Sequence, residues 1–322
     1  MKKWLLSAAV MLASSAMAET VLKFSHVVAD DTPKGQAALK FKELVESRSN
    51  GAYKVEVFPN SQLYNDDKVL EGLLLGDVHF AAPALSKFDR ITKKLQVFDL
   101  PFLFKDMAAV ERFQQSEAGQ ELLKSVEAKG LVGLGYIHQG LKQFSANAPI
   151  KSPQDLKGKK MRVMSSDVLA AQMDQVGALP VKKPFSEVFT LLQTKAIDGQ
   201  ESPWSNTFSQ KFYEVQSHIT ESNHGLLDYM VISSKKFWDG LSDADRDMLK
   251  TAMDEAIAHG NSLAAEIDGR DRKRIMESGM TTIVELTPEE RAQWVEVMRP
   301  VWGKFEKEIG KELIDAAEAS NQ

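Results

Sequence analysis

The 322-residue chain contains no cysteine. That excludes disulfide bridges, thiolate metal ligands and a cysteine nucleophile, and it removes the thiol on which a lipoprotein anchor is built. Long apolar runs are missing too. The stretch from Trp4 to Ala13 is too short for the roughly 20 residues that cross a bilayer, and no later segment approaches that length. Basic residues do not dominate, with 40 Lys and Arg against 45 Asp and Glu, so composition offers no basic face for nucleic acid. The six histidines show no metal-ligand spacing. There is no P-loop and no G-x-S-x-G elbow. Gly130, Gly133 and Gly135 imitate a dinucleotide loop only superficially, because their spacing is reversed and the run enters a strand instead of leaving one. No nucleophile with its base is visible, so neither enzymatic activity nor a cofactor or metal is expected.

What is present begins with Met1–Ala18, which has the three parts of a secretory signal. Lys2 and Lys3 are basic, an apolar stretch follows, and Ala16 and Ala18 form a small-residue A-x-A end. Residues 1–18 are therefore expected to be a cleaved signal peptide. Its removal would leave 38 basic and 45 acidic residues, a net charge of −7, on a soluble chain of 304 residues. That length exceeds what one core usually organises, so two lobes are expected. No low-complexity or Pro/Gly-rich linker separates them, and ordinary strands and helices must make the crossings.

The first half alternates strand and helix: strand Val21–Val27, helix Pro33–Ser49, strand Tyr53–Phe58, helix Asp67–Leu75 and strand Val78–Ala82. Such alternation implies parallel strands with crossover helices. Helices Met107–Gln115 and Glu117–Lys129 and a strand Leu131–His138 follow. A second unit restarts after Pro153, with strand Lys160–Met164 and helices Val168–Val176 and Phe185–Thr194, and His224–Ser233 reads as a further strand. From Ser242, an N-cap followed by Asp243 and Asp245, the pattern supports one helix to Glu277, roughly 54 Å long. Pro288, at the first position after Thr287, starts another helix.

One residue carries a chemical demand. By alternation Lys160, Arg162 and Met164 face one way and Met161, Val163 and Ser165 the other, so Arg162 lies within a short apolar strand. A guanidinium is always charged, and burying it unpaired would cost several kcal/mol. It must meet a carboxylate, either internal or brought by a ligand.

Several blocks, in order, resemble the extracytoplasmic solute receptors of TRAP transporters of the DctP type, which serve C4-dicarboxylates. They are LKFSHVVADDTPKGQAA near Val21, VFPNSQLYNDDKVLEGLLLGDV from Val57, APALSKF, VFDLPFLF, LKQFSANAPI around Lys142, and FSEVFTLLQTKAIDGQE through QKFYEV. The resemblance covers nearly the whole chain after the leader. It implies an α/β periplasmic binding protein fold of two discontinuous lobes, with an interlobe ligand cleft and a long helix spanning both lobes. We expect crossings near Gln139, near Asp228 and near Ile267. Residues 19–139 plus 228–267 would then form one lobe, and 140–227 plus 268–322 the other.

The resemblance also implies a monomer in the periplasm that hands a small carboxylate to small and large integral membrane subunits driven by an ion gradient. Arg162 is then the anchor for one carboxylate. Lys34, in the TPKG element at a helix start, becomes the candidate for a second, and Lys142 another cation for the ligand carboxylate. Ser86 and Lys87 follow a strand at the edge where open α/β sheets bind ligands. Phe185 is expected to lie against the ligand, and His26 ends the first strand near the cleft. Where many relatives carry Asn after the glutamate of DGQE, this chain has Ser202; Asn206 is the preferred substitute and Trp204 its neighbour. Glu201 and Asp198 read as structural, Asp198 with Gly199 being a turn signal. A 2-oxo acid or sugar acid as ligand, a sensing module that docks on a signalling receptor, and a periplasmic enzyme acting on a small carboxylate are the competing readings.

Overall fold

A computed structural model describes residues 19–322, and the expected signal peptide lies outside the described residues. In chain order the elements are β1 (Thr20–Ser25), α1 (Pro33–Arg48), β2 (Tyr53–Phe58), α2 (Val69–Leu75), β3 (Phe80–Ala81), α3 (Met107–Gln115), α4 (Glu117–Lys124) and β4 (Leu131–Ala146). Then come β5 (Lys160–Val163), α5 (Asp167–Gln175), β6 (Leu179–Lys182), α6 (Val188–Gln193), β7 (Gly199–Ser202), α7 (Trp204–Ser209) and β8 (His218–Ser234). The chain ends with α8 (Lys235–Asp239), α9 (Asp243–Ser278), β9 (Thr282–Glu285), α10 (Pro288–Met298), α11 (Pro300–Ile309) and α12 (Lys311–Ala319). Short 3-10 segments cover Leu85–Phe88, Lys93–Asp99 and Phe185–Glu187.

The nine strands among the described residues form one sheet in the order β2-β1-β3-β8-β4-β7-β5-β6, with β9 beside β8. Its spine is the antiparallel pair β4 and β8, running from Leu131 opposite Ser234 to Ala146 opposite His218. One end of this ribbon carries β3, β1 and β2. The other end carries β7, β5, β6 and β9. Within each half β1–β2, β1–β3, β5–β6 and β5–β7 are parallel, as crossover helices require. The result is an α/β molecule of two lobes joined by continuous strands.

Here the strand boundaries read from sequence need correction. The strands expected at Leu131–His138 and His224–Ser233 run on to Ala146 and back to His218. Polar residues such as Lys142, Gln143 and Ser145 gave the far half of β4 the look of a loop. Pairing with β8 on one side and β7 on the other makes it a central strand. Register shifts at Gly133/Gly135, His138/Gly140 and Lys142/Phe144 bend the ribbon between its two ends. The helix expected over Glu117–Lys129 stops at Lys124, and a 3-10 turn at Glu127–Lys129 completes the segment.

The helix ends follow their caps. Thr32 accepts from the Gly35 N–H ahead of Pro33 in α1, and Ser242 accepts from the Asp245 N–H ahead of α9. Thr287 and Glu290 form a reciprocal capping box at α10. The 36 residues of α9 span both halves of the sheet, packing against α1 near Gly260 and α7 near Asp268. Aromatic and aliphatic side chains from both halves, including Phe24, Phe41, Phe80, Phe144, Met161 and Trp294, share one continuous core.

Candidate functional site

The carboxyl ends of β1, β3, β5 and β7 point toward a common crevice, the place where open α/β sheets hold ligands. Its walls are Val27 after β1, Asp66 before α2, Ala84 and Lys87 after β3, Arg162 and Met164 at β5, Phe185, Glu201 and Ser202 on β7, Asn206 on α7, and Leu227 and Tyr229 on β8. The space between these atoms totals about 340 Å³, yet the centre of a water-sized sphere can move through only about 20 Å³ of it. Since one water needs roughly 10–15 Å³ by that measure, the crevice is narrow and nearly closed.

Arg162 dominates the site. It is 2% exposed, with Met161 and Val163 in the core on the opposite face of the strand. Its Nε donates to the Lys183 carbonyl at 2.9 Å. Buried Nη2 has no hydrogen-bond partner, and among the described residues no carboxylate lies within salt-bridge distance of the guanidinium. Burial lowers its pKa to about 10, against the opposing pull of Glu201, Asp67 and Asp66, so the group stays charged at neutral pH. The Phe185 ring stands 5.8 Å from the guanidinium carbon, within cation–π range.

Lys87 supplies the second cation on the wall. Its Nζ meets Asp67 at 2.8 Å and Ser165 at 3.4 Å, and Asp67 also accepts from the Ser165 hydroxyl at 2.9 Å. Burial and the neighbouring Arg162 lower the Lys87 pKa. Asn206 donates from Nδ2 to the Tyr229 hydroxyl at 3.3 Å, and the Ser202 hydroxyl donates to Gln200 Oε1 at 2.6 Å. The apolar wall of Val27, Met164, Phe185 and Leu227 fits a short hydrocarbon spine between polar ends.

Of the residues singled out from sequence, Lys87, Arg162, Phe185, Ser202 and Asn206 come together on this crevice. The other five sit elsewhere. Lys142 lies behind Glu201, its Nζ 2.6 Å from Oε1, while His224 Nε2 holds Oε2 at 2.8 Å. Burial works to raise the Glu201 carboxyl, but Lys142 and His224 hold it down at about 2. Lys142 is therefore committed to an internal carboxylate, which the pairing of β4 with β7, with Phe144 opposite Glu201, brings within its reach.

Lys34 donates to the Ala82 carbonyl at 2.9 Å, sits 3.4 Å from the centre of the Tyr229 ring and is not among the residues that line the crevice. Burial lowers its pKa to about 8, offset in part by Asp66. Ser86 donates to buried Asp99, whose carboxyl burial raises to about 6. His26 is buried beneath the wall with neither ring nitrogen partnered; burial and then Lys34 lower it to about 3, so it is neutral. Trp204 faces another hollow, with the Arg272 guanidinium 5.5 Å from its ring.

Sequence reasoning missed Asp66, Tyr229 and Leu227 and set Glu201 aside as structural. Alternation along the His224–Ser233 strand places Leu227 and Tyr229 on one face, a signal that was present. Nothing in the pattern marks Asp66 apart from Asp67.

A crevice between two lobes, lined by a buried guanidinium without a carboxylate partner and by a second cation, is built to hold a small anion. The model of the DctP family, described as bacterial extracellular solute-binding protein, family 7, matches residues 24–308, and the chain belongs to that family. It is 63% identical over 309 residues to the C4-dicarboxylate-binding periplasmic protein DctP of Shewanella loihica, covering 96% of this chain and 92% of that one. A TRAP periplasmic solute-binding protein from Shewanella oneidensis, solved with bound succinate, superposes with a TM-score of 0.94 at 66% identity, over 95% of this chain and 100% of that one. Another from Pseudomonas aeruginosa, with bound L-malate, gives a TM-score of 0.86 at 43% identity, over 88% and 99%. Among the described residues no helix is long and apolar enough to cross a membrane.

Proposed function

We propose that this chain is the periplasmic receptor of a TRAP transporter, and that it captures a C4-dicarboxylate such as succinate, malate or fumarate without transforming it. The observation that carries the reading is Arg162: a fully buried guanidinium whose outer nitrogen has no partner awaits a carboxylate that the described chain does not provide. A ligand carboxylate would accept from that nitrogen, with Asn206 N–H groups beside it. Lys87, the other cation on the wall, takes over from Lys34 as the group proposed for the second carboxylate. The family resemblance supports secretion by a cleaved leader at residues 1–18 and delivery to small and large membrane subunits. We place the lobe boundaries at Gln139 and Asp228 in the irregular middle of the ribbon and at Ile267 in α9. Lobe closure is then biased by the ligand, which has contacts to both halves only when the crevice is shut.

Titration calorimetry with succinate, L-malate, fumarate and the monocarboxylate butyrate tests this. The dicarboxylates should bind and butyrate should bind far more weakly. Lys87→Met should weaken succinate at least about tenfold while barely changing any residual butyrate binding. Failure of all three dicarboxylates, or equal affinity for butyrate, would overturn the proposal.

A further inference from the structure

Behind the crevice, the three connections between the halves meet at a polar hub. Asp268 of α9 accepts at Oδ1 from the Ser205 N–H at 3.1 Å, and the Ser205 hydroxyl and the Trp204 N–H lie near enough to this carboxylate to favour its charged form. Gln139 of β4 donates from Nε2 to Ser205 Oγ at 2.6 Å and to Asn206 Oδ1 at 2.7 Å. Its backbone N–H donates to Asp228 of β8 at 3.0 Å. Gly140, at φ +142°, brings the strand so close that a Cβ there would lie 3.4 Å from Asp268 Oδ2.

These contacts form a directed chain. A charged Asp268 only accepts, so the Ser205 hydroxyl points its proton at the carboxylate and its lone pair at Gln139. Gln139 then presents its amino group to Asn206, which turns the Asn206 carbonyl inward and leaves its N–H groups facing Tyr229 and the crevice. N–H groups suit a bound carboxylate. The opposite orientation is available, because Gln139 Oε1 is buried without a partner. If Asp268 is protonated, Ser205 is free to donate to that oxygen. Gln139 and Asn206 then both reverse, and a carbonyl oxygen confronts the anion.

We propose that Asp268 is the positioning residue that sets which way the Asn206 amide faces, so that its ionisation couples anion binding to pH. This rests on the receptor reading above. Burial raises the Asp268 carboxyl to about 7, within reach of physiological change. A hollow through which water centres can move over about 520 Å³ adjoins Asp268, giving protons a route to it. The charged groups facing it from other elements are already engaged. His138 pairs with Asp228 at 2.8 Å, Arg272 with Glu221 at 2.7 Å, and Asp271 with Arg270 and Arg274; Glu111 of α3 lines the same hollow, and α7 carries no charge.

Calorimetry with succinate at pH 8 and pH 6 tests the idea on the whole protein, and comparison between variants cancels the ligand's own titration. The wild type should bind about tenfold more weakly at pH 6. Asp268→Asn, whose amide imitates the protonated carboxyl, should show the weaker value at both. Ser205→Ala, which cuts the chain but leaves the backbone cap, should lose the pH dependence, whereas His138→Gln should keep it. Wild-type binding that does not change with pH, or an undiminished pH response in Asp268→Asn or Ser205→Ala, would overturn the inference alone. Absence of succinate binding at either pH would overturn the receptor reading and this inference with it.

Discussion

Replacing Arg162 with methionine separates the two roles a buried arginine can play. Methionine keeps the unbranched stem and most of the volume, so packing against Phe185 and Met164 changes little, while the charge disappears. In the folded protein burial lowers the guanidinium from its ordinary value to about 10, so the unfolded chain holds the proton more tightly than the native one. The charged group therefore costs stability at every pH below about 10, by about 3 kcal/mol, and the cost disappears only above the unfolded value. Set against this is the lost donor to the Lys183 carbonyl, a single bond of about 1 kcal/mol net. Ligand-free Arg162→Met should thus melt no lower than the wild type, and a few degrees higher if the Lys183 carbonyl finds water. Binding should move the other way. Two charge-assisted bonds to a carboxylate at about 1.5–3 kcal/mol each make the loss more than about a hundredfold. Arg162→Lys should recover little of it, since an ammonium on a shorter stem cannot present two parallel N–H groups. Thermal melting without ligand and succinate titration of both variants read the two halves separately. Affinity within tenfold of wild type, or a ligand-free protein that loses more than about 3 kcal/mol, would mean that Arg162 serves the fold and not the ligand.

Lys142→Met should behave in the opposite sense, because it leaves Glu201 buried beside a neutral histidine; urea unfolding should show a loss of about 3–5 kcal/mol, and an unchanged midpoint would refute the pairing. Glu201 is held at about 2 in the fold against an ordinary 4.5, so its stabilisation is complete above about pH 4.5 and disappears as the pH falls toward 2. Melting temperature against pH should fall through that window in the wild type and begin falling at higher pH in Lys142→Met. Gly260→Ala would gain about 1 kcal/mol in an isolated helix, but its Cβ would lie 2.8 Å from both Ala37 Cβ and the Pro33 carbonyl, so net destabilisation of about 1–3 kcal/mol is expected from forcing α1 away from α9. A raised melting temperature would show that the two helices part without cost.

Local signals located most elements. Pro33 after Thr32, Ser242 before Asp243 and Pro288 after Thr287 placed three helix starts at the observed residues, because a cap is decided by side chains within a turn of the backbone they satisfy. Arg162 was legible for a related reason: period-two alternation over a few residues fixes which face a side chain takes, and a guanidinium cannot shed its charge. The ordered motif blocks added the family. Strand length was less legible where polar residues enter a sheet, as at Lys142, Gln143 and Ser145 of β4.

Partnership among charges was decided only by the tertiary structure. Four cations were plausible anchors in the sequence, and nothing local distinguishes a lysine that meets Glu201 from one that faces a ligand. Lys142 is taken by a carboxylate 59 residues away, Lys34 by a carbonyl and a ring, and Lys87 shares its charge with Asp67. Arg162 alone among them is left with a buried donor unmet. The sequence by itself determined that a buried arginine would need an anion and which family of folds would bury it. The sheet register determined that the described chain brings no carboxylate within salt-bridge distance of Arg162, because the distance between charges far apart in the chain is set by how strands pair, and no local pattern encodes it.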